Sequence, residues 1–249
     1  MKVTLITHTP EPEKVVAAAA KLCYSNADSI ETLMNGLTDE SVSKFIQHLS
    51  NMGHQSPIEH VSFTFGIEGV SRALLAQLTR HRIASYSVQS QRYVNMNGFD
   101  FVTPPAVKED EELNVLFSET MTMENRVYEV LQDRLSKKYV EAGVKKSAAD
   151  KAANEDARFV LPNAATTRMI VTMNARSLLH LFELRCCNRA QWEIRELADK
   201  MLELVYHVAP NLFAKAGPSC VAEGKCPEGS MNCGQYENVK GKYNIIKSC

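Results

Sequence analysis

The positive charges of this sequence are divided between two residue types that barely mix. Ten of the twelve arginines fall in two segments, residues 72–92 and 158–195, and neither segment contains a lysine. An arginine guanidinium is a planar fork that binds a phosphate or a carboxylate through two donors and tolerates partial burial, whereas lysine is a strongly hydrated point charge. Both segments are therefore candidates for surfaces that bind a fixed anion.

The first arginine segment offers its cations no acidic partner nearby. Residues 69–99 include no Asp or Glu, and the arginines stand among hydroxyl and amide side chains. This mixture is typical of a surface that binds a small anion such as a nucleotide phosphate. The alternative is that Arg72, Arg80, Arg82 and Arg92 pair with acidic residues elsewhere in the fold.

The second segment places an arginine where a helix disfavours it. Asn174 is a plausible N-cap, so Arg176 lies in the first turn of the next helix, close to the positive end of the helix dipole. A bound anion would remove this conflict, because helix starts favour phosphates.

Arg185 is also unusual, because it shares a helical face with Leu181 and Phe182. A cation on an apolar stripe is costly unless a negative group meets it. That group is either a ligand or, in the simpler alternative, Glu183 or Glu193.

The elements that position these residues follow from hydrophobic periodicity and capping signals. Helices interspersed with few strands predict an α+β fold, namely a single mixed domain with a small sheet flanked by several helices, one of them long. Strands are predicted at residues 2–7, 60–67, 99–102 and 167–174, and helices at 11–24, 38–52, 70–80, 109–143, 148–157, 175–187 and 192–208.

Composition excludes several classes of protein. The chain has 249 residues, 45% of them hydrophobic, and a net charge of −1, which disfavours a nucleic-acid or anionic-membrane partner. No apolar run approaches the roughly 18 residues of a membrane helix, and the N-terminus lacks a signal-peptide pattern. We expect a cytoplasmic protein. With eleven glycines and neither glycine-rich phosphate motif, nucleotide binding must depend on side chains.

The composition changes after residue 216, which predicts a domain at 1–216 and a loop-like, cysteine-rich tail at 217–249. The tail contains Cys220, Cys226, Cys233 and Cys249. Their spacing is wider than in common zinc motifs, and the fourth ligand could be Cys249 or His207. An odd total of seven cysteines without a signal peptide indicates reduced thiols. We expect a flexible tail and no metal, with a metal site at Cys220, Cys226 and Cys233 as the alternative.

One string is far more specific than these patterns. Arg80-His81-Arg82, followed after seven residues by Ser90, resembles the signature of the flavin-dependent thymidylate synthases. Three further stretches resemble the family in the correct order: GHQSPIEH at 53–60, RFVLP at 158–162, and NARS with AQWEI between 174 and 194. The resemblance covers about residues 1–215 and leaves the tail outside.

The resemblance implies methylation of dUMP to dTMP. It implies 5,10-methylenetetrahydrofolate as the carbon donor and FAD, reduced by NADPH, as the source of hydride. It also implies a homotetramer in which FAD lies at subunit junctions.

The resemblance further implies roles for single residues. The catalytic residue is Arg185, which meets the uracil and favours its N3-deprotonated form. His54 matches a position at the flavin edge, although a histidine between a helix stop and a strand is more often a cap or a core hydrogen-bonder. The dUMP-binding positions are Gln77, Arg80, Ser90, Gln91, Arg92, Arg158 and Arg185. The FAD-binding positions are Ser56, Arg80, His81, Arg82, Asn174, Arg176 and His180.

The chain departs from the family pattern at two positions. Val88 stands where a polar or acidic residue is frequent, and His180 stands where asparagine is common. No protein nucleophile is required, so Ser90 is assigned to binding, and Cys186 and Cys187 are expected to point away from the face of Arg185.

Two other functions use the same arginines. The first is a non-redox hydrolase or transferase acting on a pyrimidine nucleotide, which would be colourless. The second is a nucleotide- or RNA-binding module, which a near-zero net charge and an aromatic content of 7% disfavour.

Overall fold

The protein has an α+β fold, as the sequence predicts. The computed structural model describes residues 1–247, and its strands form a four-stranded antiparallel sheet in the order β1-β2-β4-β3. The strands are β1 (Lys2–His8), β2 (Ser62–Ser71), β3 (Ser85–Val88) and β4 (Thr166–Asn174).

The helices follow the expected periodicity over most of the chain, including the long helix α6. They are α1 (Pro12–Leu22), α2 (Ile30–Asn35), α3 (Asp39–Met52), α4 (Arg72–Leu78), α5 (Pro105–Lys108), α6 (Glu111–Glu141), α7 (Lys146–Ala157), α8 (Ala175–Arg185), α9 (Trp192–Val208), α10 (Ser219–Ala222) and α11 (Tyr236–Ile246).

The chain folds into two compact units, and each strand of the sheet has residues in both. The first unit comprises Met1–Lys2, Ile67–Gln77 and Ser87–Met169. The second unit comprises Val3–Gly66, Leu78–Tyr86 and the chain from Ile170 onward, so it includes the described part of the tail.

Helices α6 and α7 pack together in the first unit. Helix α6 begins where the Asp110 side chain accepts a hydrogen bond from the Leu113 amide. Met96, Tyr128 and Ala157 are buried at the centre of this unit. The phenol of Tyr128 is satisfied there, because the Met96 amide donates to it at 3.1 Å. This core supports the segment that follows β3, which carries several of the expected nucleotide-binding residues.

The second unit is built around three fully buried phenylalanines. The ring of Phe213 meets those of Phe63 and Phe182 edge-on, at centroid distances of 5.5 and 6.1 Å. Helix α3, predicted at 38–52, has Thr38 as its N-cap and ends at Gly53, whose φ of 71° is a left-handed conformation that glycine adopts without strain.

The structure corrects four predictions about elements. The strand predicted at 99–102 is a single bridge between Phe101 and Ala165. The helix predicted from residue 70 begins two residues later, because β2 continues to Ser71. Elements α2, α5 and β3 are short and have no counterpart in the sequence prediction. The tail is not loop-like throughout, since α10 and α11 lie within it and bury Val239 and Tyr243.

Within the described chain, none of the helices combines the length and the apolar character that crossing a membrane requires.

Candidate active site

A cleft of about 800 Å³ in the second unit brings together most of the residues expected to bind FAD. These residues come from two parts of the chain. One is the segment that follows α4, and the other is the N-cap and the first two turns of α8. Arg185, the last residue of α8, lines the same cleft. The expected FAD-binding residues in the lining are Arg80, His81, Arg82, Asn174, Arg176 and His180.

Local hydrogen bonds hold both groups in place. The Oδ1 atom of Asn174 accepts from the Ser177 amide at 2.8 Å, which confirms the predicted cap of α8. The Tyr86 hydroxyl lies 2.9 Å from the carbonyl oxygens of both Leu78 and His81. Burial raises the pKa of Tyr86 to about 12, so the phenol keeps the proton that it donates. The turn that carries the arginines is therefore closed by a neutral donor.

His81 and Arg185 form the central contact of the cleft. The Nε atom of Arg185 donates to Nε2 of His81 at 3.1 Å. Burial, followed by the charges of Arg185 and His180, lowers the pKa of His81 to about 4. Because a guanidinium only donates, Nε2 must carry no proton in this contact. His81 is thus neutral and orients Arg185 without neutralising it.

The hydrogen-bond partner of Arg185 is thus a neutral ring, and of the two acids in the simpler alternative Glu183 does not take this place. Glu183 instead lies 3.8 Å from Nδ1 of His180, one turn earlier on α8. A guanidinium is positively charged and planar, so Arg185 beside the cleft suits an anionic ligand.

Arg176 is held in a different way. Its guanidinium forms a salt bridge with Glu59 and donates from Nε to Oε1 of Gln55 at 3.1 Å. Both charged side chains are about half exposed, so the ion pair is weak and is screened by salt. The conflict with the helix dipole is met by a carboxylate of the protein, and no bound anion is needed to explain it.

Arg80 and Arg82 complete the positive side of the cleft. Both are exposed, and neither forms a salt bridge within residues 1–247. Together with Arg185 they present three uncompensated guanidinium groups around one cavity. The donor set suits a phosphorylated ligand of nucleotide or dinucleotide size.

Ser56 and His54 line a second cleft, of about 480 Å³, in the same unit. Its walls include His48, His60 and Phe45, from α3 and the turn that precedes β2. The structure therefore does not bring Ser56 into the cavity that contains the other six expected FAD positions.

The first unit contains its own group of arginines. Arg92 forms a salt bridge of 2.7 Å with Glu155, and the Nε atom of Arg158 donates to the Glu155 carbonyl oxygen at 3.2 Å. Arg72 donates from Nη2 to the Gln89 carbonyl oxygen at 3.0 Å. The ion-pair alternative holds for Arg92, whereas no carboxylate pairs with Arg72 or Arg158 in the described structure.

The remaining expected dUMP positions of this unit lie on or near the same segment. Ser90 Oγ accepts from the Arg92 amide at 3.2 Å, and Gln91 is half-buried between them. Gln77 lies on α4 and donates to the Ala73 carbonyl oxygen at 3.4 Å. Val88 is the last residue of β3, directly before this turn. An apolar side chain therefore stands at the position where the family pattern often has a polar or acidic residue.

The cysteines within residues 1–247 bear on the two alternatives of a thiol nucleophile and a metal site. Cys186 is buried, and burial raises the pKa of its thiol far above the usual range. Among residues 1–247 no three His, Cys, Asp or Glu side chains could hold a metal ion, and this includes Cys220, Cys226 and Cys233. Cys249, one candidate for a fourth ligand, lies outside the described residues.

Several residues of the site were not identified from the sequence. Gln55 and Glu59 hold Arg176, Tyr86 closes the arginine turn, and Glu155 pairs with Arg92. Tyr86 and Glu59 lie inside stretches that carry the family resemblance, which is the one signal that could have indicated them. Glu155 lies on α7, and the tertiary packing of this helix brings it to Arg92, so no local sequence signal indicates the pair.

Comparison with known proteins agrees with this geometry. Residues 4–211 match the family model described as thymidylate synthase complementing protein. A flavin-dependent thymidylate synthase of Clostridium tetani is 53% identical over 243 residues, covering 98% of this chain and 97% of the relative. The corresponding enzyme of Geobacter sulfurreducens is 50% identical over 242 residues, covering 96% and 97%.

These alignments also correct the extent of the resemblance, which continues past residue 215 into the tail. At this identity and coverage, and with the RHR turn and Arg185 lining one cleft, the chain belongs to the flavin-dependent thymidylate synthase family.

Proposed function

We propose that this protein converts dUMP into dTMP, with 5,10-methylenetetrahydrofolate as the carbon donor and with NADPH as the reductant. The observation that carries the proposal is the position of Arg185, which lines the cleft with its charge intact and its orientation set by neutral His81. Bound FAD would supply the hydride that reduces the transferred carbon to a methyl group.

The residues of the larger cleft fit FAD. Arg80 and Arg82 can neutralise a pyrophosphate, and Asn174 and His180 offer polar atoms near the start of α8. The cavity of about 800 Å³ is within the usual size range of cofactor sites. Ser56 and His54 would contribute from the neighbouring cleft, at the edge of the flavin.

Arg185 would act on the uracil directly. A permanently charged guanidinium beside the pyrimidine stabilises the N3-deprotonated form, since it pairs with the negative charge that develops on the ring. The charge delocalised into the ring makes C5 the nucleophilic carbon. A cysteine adduct is not needed to activate C5, and the buried, protonated thiol of Cys186 could not form one.

The phosphate of dUMP would be held by the turn after β3. Arg92 and Arg158 supply cations, and Ser90 and Gln91 supply neutral donors. The family resemblance also assigns Gln77, in the first unit, and Arg80, in the second, to dUMP. Arginine forks match the oxygens of a phosphate dianion in geometry as well as in charge.

A homotetramer with FAD sites shared between subunits completes the proposal. Helix α6 supports it, because one long helix leaves several large apolar side chains exposed, which is unusual for a face that meets only water. These are Leu113, Leu116, Met123, Val127 and Val130, each at least 38% exposed. A chain that associates with copies of itself would cover them.

An anaerobic absorption experiment tests the redox half of the proposal. The purified protein should show a flavin spectrum that bleaches when NADPH and dUMP are added. Formation of dTMP in the presence of the folate, followed by chromatography, then tests methyl transfer. A colourless protein that fails to take up FAD would contradict the proposal and favour a nucleotide hydrolase or transferase.

An arginine variant with a matched control tests the role of Arg185. Arg185→Lys should keep the flavin spectrum and lose most dTMP formation, because an ammonium lacks the planar fork. Lys108→Arg, at the exposed end of α5, should match the wild type in both measurements. Equal activity of Arg185→Lys and wild type would exclude the assigned role.

A further inference from the structure

Arg72 is the one arginine of segment 72–92 for which neither the family resemblance nor the geometry of the two clefts indicates a role. It begins α4 in the first unit, and its own amide donates to the Ala165 carbonyl oxygen at 3.1 Å. The neighbouring Ala73 amide donates to the Asn163 carbonyl oxygen at 3.1 Å. The backbone at the start of α4 is therefore fixed, and the Arg72 side chain extends from a rigid position.

The side chain of Arg72 reaches the turn that carries the expected phosphate-binding residues. Its Nη2 atom donates to the Gln89 carbonyl oxygen at 3.0 Å. The Gln89 amide donates in turn to the Arg168 carbonyl oxygen at 3.0 Å. Both backbone groups of Gln89 are thus engaged, and the chain enters Ser90 in a defined direction.

The turn after Gln89 is closed by its own hydrogen bonds. The Val94 amide donates to the Ser90 carbonyl oxygen at 3.1 Å, and the Asn154 side chain donates to the Arg92 carbonyl oxygen at 3.3 Å. The turn is a stiff unit, so a displacement of Gln89 is transmitted to the donors of Ser90 and Arg92.

The environment of Arg72 is unusually poor in negative charge. Burial and the nearby charge of Arg158 both lower the pKa of its guanidinium. Its Nε atom is buried and has no hydrogen-bond partner in the described structure, and the same is true of Nε of Arg92. Glu155 is the carboxylate of this group, and it already pairs with Arg92.

Arg72 and Arg158 thus lie near each other without a carboxylate partner in the described structure, and the Glu155 carboxylate beside Arg158 pairs with Arg92. Like charges at short range destabilise an unliganded site, and a dianion bound between them removes the repulsion. A nucleoside 5′-monophosphate carries such a dianion, whereas the corresponding nucleoside does not.

We propose that Arg72 is a positioning residue of the nucleotide-phosphate site, which holds the Ser90–Gln91–Arg92 turn through the Gln89 carbonyl and makes the site selective for a phosphorylated nucleoside. This inference rests on the proposed function, because it takes dUMP as the ligand. Arg72 acts through Gln89, and direct contact with the substrate is not part of its role.

Calorimetric titration of the FAD-loaded protein with dUMP and with deoxyuridine tests this role. Arg72→Met should weaken dUMP binding by about ten-fold or more, the effect expected for a lost hydrogen bond from a charged group. Binding of deoxyuridine should change by less than about two-fold, since the uracil is held elsewhere. Arg72→Lys, which keeps the charge and one donor, should recover much of the loss.

Kinetic and folding measurements distinguish a positioning role of Arg72 from a general disruption of the fold. In Arg72→Met the KM for dUMP should rise while kcat stays within about three-fold of the wild type, because a loss of ground-state binding raises KM alone. Lys108→Met, at the exposed end of α5, should match the wild type throughout. Flavin content and the melting temperature without ligand should be retained in both variants.

The outcomes distinguish this inference from the proposed function. If the wild type binds dUMP but Arg72→Met binds it equally well, or loses dUMP and deoxyuridine affinity in parallel, the role of Arg72 is wrong and the proposed function stands. If the wild type itself binds no dUMP, the proposed function fails first.

Discussion

Arg185 donates a hydrogen bond from Nε to Nε2 of His81 at 3.1 Å, which determines the protonation of the imidazole. Only a neutral ring with its proton on Nδ1 can accept this bond, and burial with two nearby positive groups lowers the pKa of His81 to about 4. The contact consumes one donor of Arg185 and leaves the two terminal nitrogens to act as a fork. Neutral His81 thus orients Arg185 without forming an ion pair with it, so the guanidinium can pair with a negatively charged ligand.

Replacing His81, the acceptor in this contact, should lower the rate of dTMP formation more than it lowers the stability of the fold. His81→Phe keeps a ring of similar size but removes the acceptor, and we expect kcat for dTMP formation to fall by about ten- to a hundred-fold. His81→Gln keeps an oxygen within reach of Arg185 and should retain more activity. Flavin content must be measured in both variants, since His81 also lines the proposed FAD cleft. Equal turnover of the two variants at equal flavin content would show that the acceptor is unimportant.

The lowered pKa of His81 also makes the stability of the fold depend on pH. In the unfolded chain the imidazole titrates near 6.5, and in the folded chain it titrates near 4. Above pH 6.5 both states are neutral and the histidine has no effect. Between 6.5 and 4 the unfolded state binds more protons, so its contribution to stability falls as the pH is lowered.

Chemical denaturation at a series of pH values measures this effect. The unfolding free energy of the wild type should decrease from pH 7 to pH 4.5 more steeply than that of His81→Gln, which cannot titrate. Identical slopes for the two proteins would mean that His81 does not carry a depressed pKa.

In the proposed flavin site, the Glu59 carboxylate should compete with FAD for the guanidinium of Arg176. Glu59→Gln frees the guanidinium while keeping a hydrogen-bond acceptor, so we expect FAD affinity to rise by a few-fold at low salt. Because both side chains are about half exposed, the unfolding free energy should change by less than about 1 kcal/mol. Fluorescence titration of the apoprotein with FAD checks the change, and Glu129→Gln on exposed α6 is the control. A large loss of FAD affinity would show instead that Glu59 itself binds the cofactor.

The elements that the sequence predicted well are those with local signals. Thr38 and Gly53 bound α3, and Asn174 begins α8, because a cap acts within one turn of the residue that provides it. The strand predicted at 99–102 reduces to one bridge at Phe101, since strand pairing depends on a partner that the local pattern does not specify. Helix α11 was missed because its buried residues are few, with Val239 and Tyr243 among polar neighbours.

Local sequence signals also fail to predict which side chains meet in the candidate site. The arginines of both segments could be identified from composition, but their partners could not. His81 lies 104 residues from Arg185 in the sequence, and Glu155 lies 63 residues from Arg92. Contacts of this range depend on tertiary packing, so whether an arginine meets a neutral ring or a carboxylate is decided only by the fold.

Cysteine substitutions should leave turnover intact. Cys186 is buried and burial raises its thiol pKa, so Cys186→Ala should retain dTMP formation within about three-fold. Its cost should appear in stability, as a loss of about 1 kcal/mol for a small cavity. Cys187→Ala, at a half-buried neighbouring position, is the matched variant and should behave similarly in turnover. Complete loss of activity in either variant with folding and flavin intact would reinstate a thiolate mechanism.

The tail should contribute to stability through Tyr243. This residue is buried, and its hydroxyl lies 3.0 Å from the Cys186 carbonyl oxygen and also within hydrogen-bonding distance of Asp199. Tyr243→Phe removes the only donor of the side chain and leaves buried acceptors unmet, so the unfolding free energy should fall by about 1–3 kcal/mol. Tyr236→Phe, at the half-buried start of α11, is the control and should be nearly neutral.

Removal of residues 217–249 extends the same test to the whole tail. If α11 is part of the packed second unit, the shortened protein should melt at a lower temperature than Tyr243→Phe, because it also exposes the apolar surface that Val239 covers. Metal analysis of both lengths belongs in the same experiment. Metal bound by the full chain and lost with the tail would assign the tail cysteines a ligand role, whereas equal metal in both leaves packing as the function of the segment.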